Sequence, residues 1–155
     1  MGALIVNADG SAPFTGCFRH KLEQSRVTLP GRWRQATTTK TFVIVIWPLG
    51  VDQHLLALPP RRWEKIVVGL RDQPLTNEQL AATERILATS VAWAELDNVG
   101  RLTLPDRHFA SVGIEQEVEL IGRLDKFELW NPARYQQVML EDRKVAAGIL
   151  KQLNV

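Results

Sequence analysis

Apolar and polar positions fall into short blocks along the chain, and the period of each block predicts an element. Arg26-Val27-Thr28-Leu29-Pro30 alternates as a strand before a proline. Gly31-Arg32-Trp33-Arg34 behind it suits one helical turn, because proline at a first helical position is pre-set for helix. Phe42 to Trp47 is apolar on both faces, which predicts a deeply buried strand, and Pro48-Leu49-Gly50 breaks it. His54-Leu55-Leu56-Ala57-Leu58 is a second strand, closed by Pro59-Pro60. Trp63, Ile66, Val67 and Leu70 then recur at i, i+3, i+4 and i+7, the stripe of an amphipathic helix. Thr76 or Asn77, followed by Glu78 and Gln79, starts another helix with Leu80, Thr83, Glu84 and Leu87 in step.

A second round repeats the order. Val91 to Leu96 reads as a strand, Asp97-Asn98-Val99-Gly100 as a tight turn, and Arg101-Leu102-Thr103-Leu104-Pro105 as a strand before a proline. Glu117 to Ile121 and Lys126 to Trp130 form a strand pair joined by a turn at Gly122 to Asp125. Asn131-Pro132 caps a helix expected to run to about Ala147. Arg26 to Pro30 matches Arg101 to Pro105 at an offset of 75, and Pro60-Arg61-Arg62-Trp63 matches Pro132-Ala133-Arg134-Tyr135 at an offset of 72. The chain is thus an internal duplication of strand, proline, short helical turn, apolar hairpin, proline and helix. Neither copy is large enough for a comfortable core of its own, so a composite barrel-like core is expected. The limits are a loose leader over 1–13, repeats over 14–75 and 76–140, and a helical tail over 141–155.

Composition narrows the class. The chain has 155 residues, 45% of them hydrophobic and 23% charged, as in a soluble globular domain. Its longest apolar run, Phe42 to Val51, falls short of the roughly 20 residues of a membrane span, so no membrane span is expected. One cysteine, Cys17, rules out an internal disulfide framework and a multi-cysteine metal site. A reduced, cytosolic protein is expected. The net charge of +2 is uninformative. Its distribution is not: Arg19, Lys21, Arg26, Arg32, Arg34 and Lys40 stand against Glu23 alone within residues 19–40. Such a cluster suits an anionic partner, nucleic acid first and acidic membrane second, or else a merely solvated basic face.

No catalytic set emerges. His20, His54 and His108 have no metal-ligand spacing with one another or with Cys17, and no glycine-rich phosphate loop is present. Glu117 and Glu119 share a strand face and read as water-exposed rather than as an acid–base pair. Trp47, Trp63 and Trp130 fall at strand ends or on the helix stripe and read as core. No enzyme activity, cofactor, metal or small-molecule substrate is expected.

Several motifs together resemble the MraZ family. Asp97-Asn98-Val99-Gly100-Arg101-Leu102-Thr103-Leu104-Pro105 is similar to its Asp-x-x-Gly-Arg-x-x-x-Pro signature. Gly122-Arg123-Leu124-Asp125-Lys126-Phe127-Glu128-Leu129-Trp130 is similar to its Gly-x-x-x-x-Phe-Glu-Leu-Trp hairpin. Phe14-Thr15-Gly16-Cys17-Phe18-Arg19-His20-Lys21-Leu22-Glu23 resembles its Phe-x-Gly-x-x-x-His-x-Leu-Asp opening, and Leu56 to Glu64 its first hairpin-to-helix join. The resemblance spans about residues 14–140. It implies an α+β fold of two tandem swapped-hairpin AbrB-like units in a composite, double-psi-like barrel. It further implies a ring-shaped homo-oligomer that binds direct repeats of double-stranded DNA before the division and cell-wall genes, as a cytoplasmic, nucleoid-associated regulator.

The residues suit that role. Arg101 follows Gly100 in a tight turn, where a guanidinium can grip a phosphate or a guanine edge with two hydrogen bonds. Asp97, four residues earlier, can hold that fork, and the plain alternative is a turn-stapling ion pair with no ligand. The first copy departs from the pattern. Without a gap, Leu22, Gln24 and Ser25 take the motif positions; with one deletion, Glu23 replaces the Asp. Ser25 carries a Cβ where glycine turns freely, and Arg26 remains, expected among Arg19, Lys21, Arg32 and Arg34 as a source of non-specific phosphate attraction. In the second copy His108-Phe109 replace the family's usual Leu-Arg, removing a basic group. The DNA-binding set is therefore Arg26, Arg101, Asp97, Gly100, Arg19, Lys21, Arg32 and Arg34. The alternative is a ring-forming scaffold of the same fold that has lost specific DNA binding.

Overall fold

The computed structural model describes residues 12–47 and 53–154. Residues 1–11 of the expected leader and the Pro48–Gly50 break lie outside the described residues. The chain forms β1 (Cys17–Glu23), β2 (Arg26–Thr28), α1 (Gly31–Ala36), β3 (Thr41–Trp47), β4 (His54–Leu58), α2 (Pro60–Arg71) and α3 (Asn77–Ser90). It continues with β5 (Val91–Glu95), β6 (Arg101–Thr103), α4 (Asp106–Ser111), β7 (Glu117–Gly122), β8 (Phe127–Trp130) and α5 (Pro132–Gln152).

The eight strands make one antiparallel sheet in the order β5-β3-β4-β8-β7-β1-β2-β6. Its ends approach where Asp97 N–H donates to Arg101 O at 3.0 Å, so the sheet curls into a nearly closed barrel. The two halves interleave: β1 pairs with β7, β5 with β3, and β4 with β8. Relabelling each strand of one half as its counterpart in the other leaves this circular order unchanged. The duplication read from the sequence is therefore also a duplication of pairing.

Alternation explains the packing. Inward residues Phe42, Ile44, Leu55, Ala57, Val118, Leu120, Phe127 and Leu129 fill the barrel with Phe14, Val27, Leu102 and Trp33. Phe14, Trp33, Phe42 and Phe127 meet ring on ring at 5.1 to 5.9 Å, mostly edge-to-face, and Trp33 Nε1 donates to Thr15 O at 2.7 Å. Each such side chain contributes about 2–3 kcal/mol on burial, and its indole donor is satisfied. The outward Val43, Val45, Leu56 and Leu58 form a second layer under Trp63 and Ile66 of α2. β3 is buried on both faces for that reason.

Trp130 is buried, but Trp47 is exposed, contrary to the core reading, because it stands beyond the stretch that α2 covers. Glu119 is also a correction: it is buried, not water-exposed, because α5 packs across β7 and Arg19 lies over its carboxylate at 3.4 Å. β1 is an element that hydrophobic runs alone do not announce, although Phe18, His20 and Leu22 alternate with exposed Cys17, Arg19, Lys21 and Glu23. α5 continues unbroken through residue 141 to Gln152, five residues past its expected end. Thr76, rather than Asn77, caps α3, in a reciprocal capping box with Gln79.

Buried charges tie the halves together. Asp125, fully buried at the β7–β8 turn, pairs with Lys126 at 3.0 Å and with Arg62 of α2 at 3.4 Å. Glu128 accepts from Trp130 Nε1 at 2.7 Å and pairs with Arg123 at 2.9 Å and His54 at 3.0 Å. Burial raises its pKa, but the His54 hydrogen bond and charge lead a set of contacts that outweigh it, so the carboxyl sits below its ordinary range. Breaking such a pair strands a buried charge, so Arg62–Asp125 and His54–Glu128 hold the two repeats together beside the β4–β8 pairing.

Two tests follow from this packing. A Cβ on Gly122 would lie 2.6 Å from Phe14 O and 2.8 Å from Thr15 N, both backbone, so Gly122→Ala should cost about 1–3 kcal/mol in denaturant unfolding; an unchanged midpoint would refute that contact. Burial pushes the His108 imidazole below the usual histidine range, its Nε2 against Ser90 O at 3.2 Å. The unfolded chain then binds the proton more readily, so stability should fall as pH drops through about 6.5 toward the depressed folded pKa. His108→Leu should flatten that dependence in thermal melts at about pH 7.5 and 5.5, and an equal fall in both proteins would count against it.

Candidate nucleic-acid interface

The site is built on the β2–β6 pairing. Arg26 lies opposite Thr103, Val27 opposite Leu102, and Thr28 opposite Arg101. Val27 and Leu102 are fully buried, so alternation turns both arginines to the outward face. The flanking bonds mirror one another: Leu29 N–H donates to Gly100 O at 2.9 Å, and Leu104 N–H to Ser25 O at 3.0 Å. A local two-fold axis thus passes between Val27 and Leu102. Arg26 and Arg101 open on one groove of about 410 Å³, lined also by Lys21, Glu23, Gln24 and Thr28.

The second-copy loop is held by its carboxylate. Asp97 Oδ1 accepts from Val99 N–H and Arg101 N–H, both at 2.9 Å, while Oδ2 accepts from Arg101 Nε at 2.8 Å. The Arg101 backbone N–H is the main reason that Asp97 sits below the usual carboxylate range, with the guanidinium and Val99 N–H adding to it against desolvation. Because the pair uses Nε, the two terminal nitrogens of Arg101 are left to meet an outside acceptor. Gly100 turns at φ +84°, and the Arg34 side chain crosses directly over it, donating from Nη1 to Val99 O at 3.3 Å. Arg34 therefore belongs to the second loop, not to the surroundings of Arg26 where the sequence suggested it.

The first-copy loop differs in length and chemistry. Leu22 N–H donates to Gln116 O, and Leu96 N–H donates to Lys40 O, each at 2.8 Å. These equivalent bonds set Leu22 against Leu96, and therefore Glu23 against Asp97 with one loop residue fewer. Gln24 and Ser25 make the turn at φ 51° and 64°, in the left-handed region without glycine. Ser25 Oγ donates to Asp106 Oδ1, and Arg26 Nη2 donates to Gln24 Oε1 at 2.6 Å. Arg26 is thus steered by a neutral amide where Arg101 is steered by a carboxylate.

The other expected residues scatter. Lys21 lines the groove, and Arg32 is exposed on α1. Arg19 is engaged with Glu119, which raises its pKa through their hydrogen bond and charge attraction. Phe109 is buried in the barrel core. Asp106 is the residue that sequence reasoning missed; its signal was an acidic side chain at the position equivalent, by the offset of 75, to Gly31. Among the described residues no three His, Cys, Asp or Glu side chains converge as metal ligands, and no helix is long and apolar enough to cross a membrane.

The Arg34–Gly100 contact can be tested directly. A Cβ on Gly100 would fall 2.1 Å from Arg34 Cδ, and the backbone there disfavours any L side chain. Gly100→Ala should cost roughly 1 kcal/mol in backbone strain and displace the exposed Arg34 side chain from Val99 O, so Arg34→Ala should matter less in that background than in the unaltered chain. A double-mutant cycle with no coupling would refute the contact.

The chain is similar to several known proteins. A family model described as "MraZ protein, putative antitoxin-like" matches residues 89–147, from the end of α3 into α5. A protein named Transcriptional regulator MraZ from Lactiplantibacillus plantarum is 31% identical over 129 residues, 83% of this chain and 89% of its own length. Proteins of the same name from Acetivibrio thermocellus and Roseiflexus castenholzii are 25% identical over 141 residues and 29% identical over 129. These alignments cover 90% and 81% of this chain, and 96% and 86% of the respective relatives. With both repeats, the Asp97–Arg101 loop and the Phe127–Trp130 hairpin in their expected places, the chain belongs to the MraZ family.

Proposed function

We propose that this chain is a double-stranded DNA-binding transcriptional regulator whose DNA face is the outward side of the β2–β6 seam. The observation that carries this reading is the groove shared by Arg26 and Arg101, one guanidinium from each repeat. Phosphates are attracted by the net positive edge, and the Asp97-held fork of Arg101 suits bidentate contact with a phosphate or guanine. Arg26, beside Lys21, contributes the less specific attraction. No catalytic step, cofactor or small-molecule substrate enters this role.

The finer architecture we propose is a pair of AbrB-like swapped-hairpin units, residues 14–75 and 76–140, in a double-psi-like barrel with a leader over 1–13 and a tail over 141–155. The interleaved strand order supports it. We also propose a ring-shaped homo-oligomer that binds direct repeats before the division and cell-wall gene cluster, in the cytoplasm and on the nucleoid. One loop neutralising a few phosphates binds at only about 10⁻⁴ to 10⁻⁶ M, so several subunits on successive repeats are needed for useful affinity. α5 and its C-cap expose Leu140, Val145, Ile149, Leu150 and Leu153, apolar surface that a neighbouring subunit would cover.

The test titrates charge-reversal variants against a duplex enriched by the protein from a random pool and against its scrambled counterpart. Arg101→Glu should lose at least about tenfold in affinity and the preference for the enriched sequence. Arg26→Glu should weaken both duplexes alike, and more at low salt. Undiminished binding by both variants would remove the proposal. Equal binding of the two duplexes by the unaltered protein would favour the scaffold reading, toward which the buried Phe109 and the glycine-free first loop lean.

A further inference from the structure

The two-fold arrangement of the seam is broken at one place in a way that bears on how a duplex is met. Around Val27 and Leu102 the backbone is symmetric, each loop carbonyl accepting from the leucine that follows the opposite strand. The short helices behind the strands are equivalent too, α1 opening at Gly31 and α4 at Asp106. Their side chains are not equivalent. α1 carries Gly31 at the position equivalent to Asp106 and meets the second loop with Arg34, which lies over Gly100 and adds a cation there. α4 meets the first loop with the Asp106 carboxylate, which accepts from Ser25 Oγ, while Phe109, in the place of Arg34, turns into the core.

The charge around each loop follows. The second loop has Arg101 and Arg34 against the single carboxylate of Asp97. The first has Lys21 and Arg26 against two carboxylates, Glu23 and Asp106. A carboxylate bonded to Ser25, the residue before Arg26, repels the phosphate that Arg26 would attract.

We propose that Asp106 is a specificity-determining residue that screens the first-loop cations, so that the face engages DNA from its second-loop side. This rests on the reading of the seam as a DNA face. A fully symmetric face would present the same grip in both directions along a duplex. The screened face has a strong and a weak side, which gives each subunit a polarity on its site.

The test compares Asp106→Asn, which removes the charge and keeps an acceptor for Ser25, with Asp106→Gly, which copies Gly31. Both are titrated against a mixed-sequence duplex of about 30 base pairs between roughly 50 and 200 mM salt. The expected result is several-fold tighter binding by both variants and a salt slope steeper by about one. Arg26→Ala should then cost more affinity in the Asp106→Asn background than in the unaltered chain. If Asp106→Asn changes neither affinity nor slope, or if only Asp106→Gly tightens binding, charge screening is overturned while the DNA face stands. If Arg101→Glu alone binds as tightly as the unaltered chain, engagement from the second-loop side is overturned; if Arg26→Glu does so as well, the DNA face falls with it.

Discussion

The fold depends on the short antiparallel pairing of β2 with β6. Three residues from each repeat meet there, and the buried Val27–Leu102 pair fixes their register. A slip of one residue by either strand would turn its buried valine or leucine to water and its arginine into the barrel, so the register is strongly specified. Because the contact is made by the same segment of each copy, it imposes a two-fold relation on everything attached. Each loop is closed by a bond from the other half, and each short helix lies behind the other half's turn. Neither repeat completes its own turn environment.

That constraint explains why the core and the candidate site cannot be separated. The strands that carry Arg26 and Arg101 outward carry Val27 and Leu102 inward to Trp33, Phe14 and Phe127. Buried polar pairs between the repeats, Asp125 with Arg62 of α2 and Glu128 with His54 of β4, lock the opposite side of the barrel. The outward groove is consequently carried on a rigid platform, a condition for holding a guanidinium at a fixed distance from a duplex.

Much of this was legible in sequence, because duplication and alternation are local signals. The offset of 75 between Arg26–Pro30 and Arg101–Pro105 already aligned the strands that pair, and the apolar run of β3 already required cover on both faces. What pattern could not give was which half each side chain serves. Arg34 is close in sequence to Arg26 yet sits on Gly100, and Asp106 is distant from Ser25 yet bonds to it, since swapped strands make near neighbours of remote residues. Glu119 misled for a related reason: alternation placed it outward correctly, but α5 and Arg19 cover that outer surface. The turn at Gln24–Ser25 was also beyond sequence rules, since neither residue is the glycine that its backbone favours; the pairing of Glu23 with Arg26 and the bonds to α4 hold it there.

The central claim is that a duplex lies against the outward side of the β2–β6 seam. Backbone hydrogen exchange, followed by mass spectrometry with and without bound DNA, reads this without altering the chain. Slowed exchange confined to the turn at Gln24–Ser25, to Asp97–Arg101 and to the starts of α1 and α4 is the predicted result. Protection that falls instead on α2 and α3, with those segments unchanged, would contradict it.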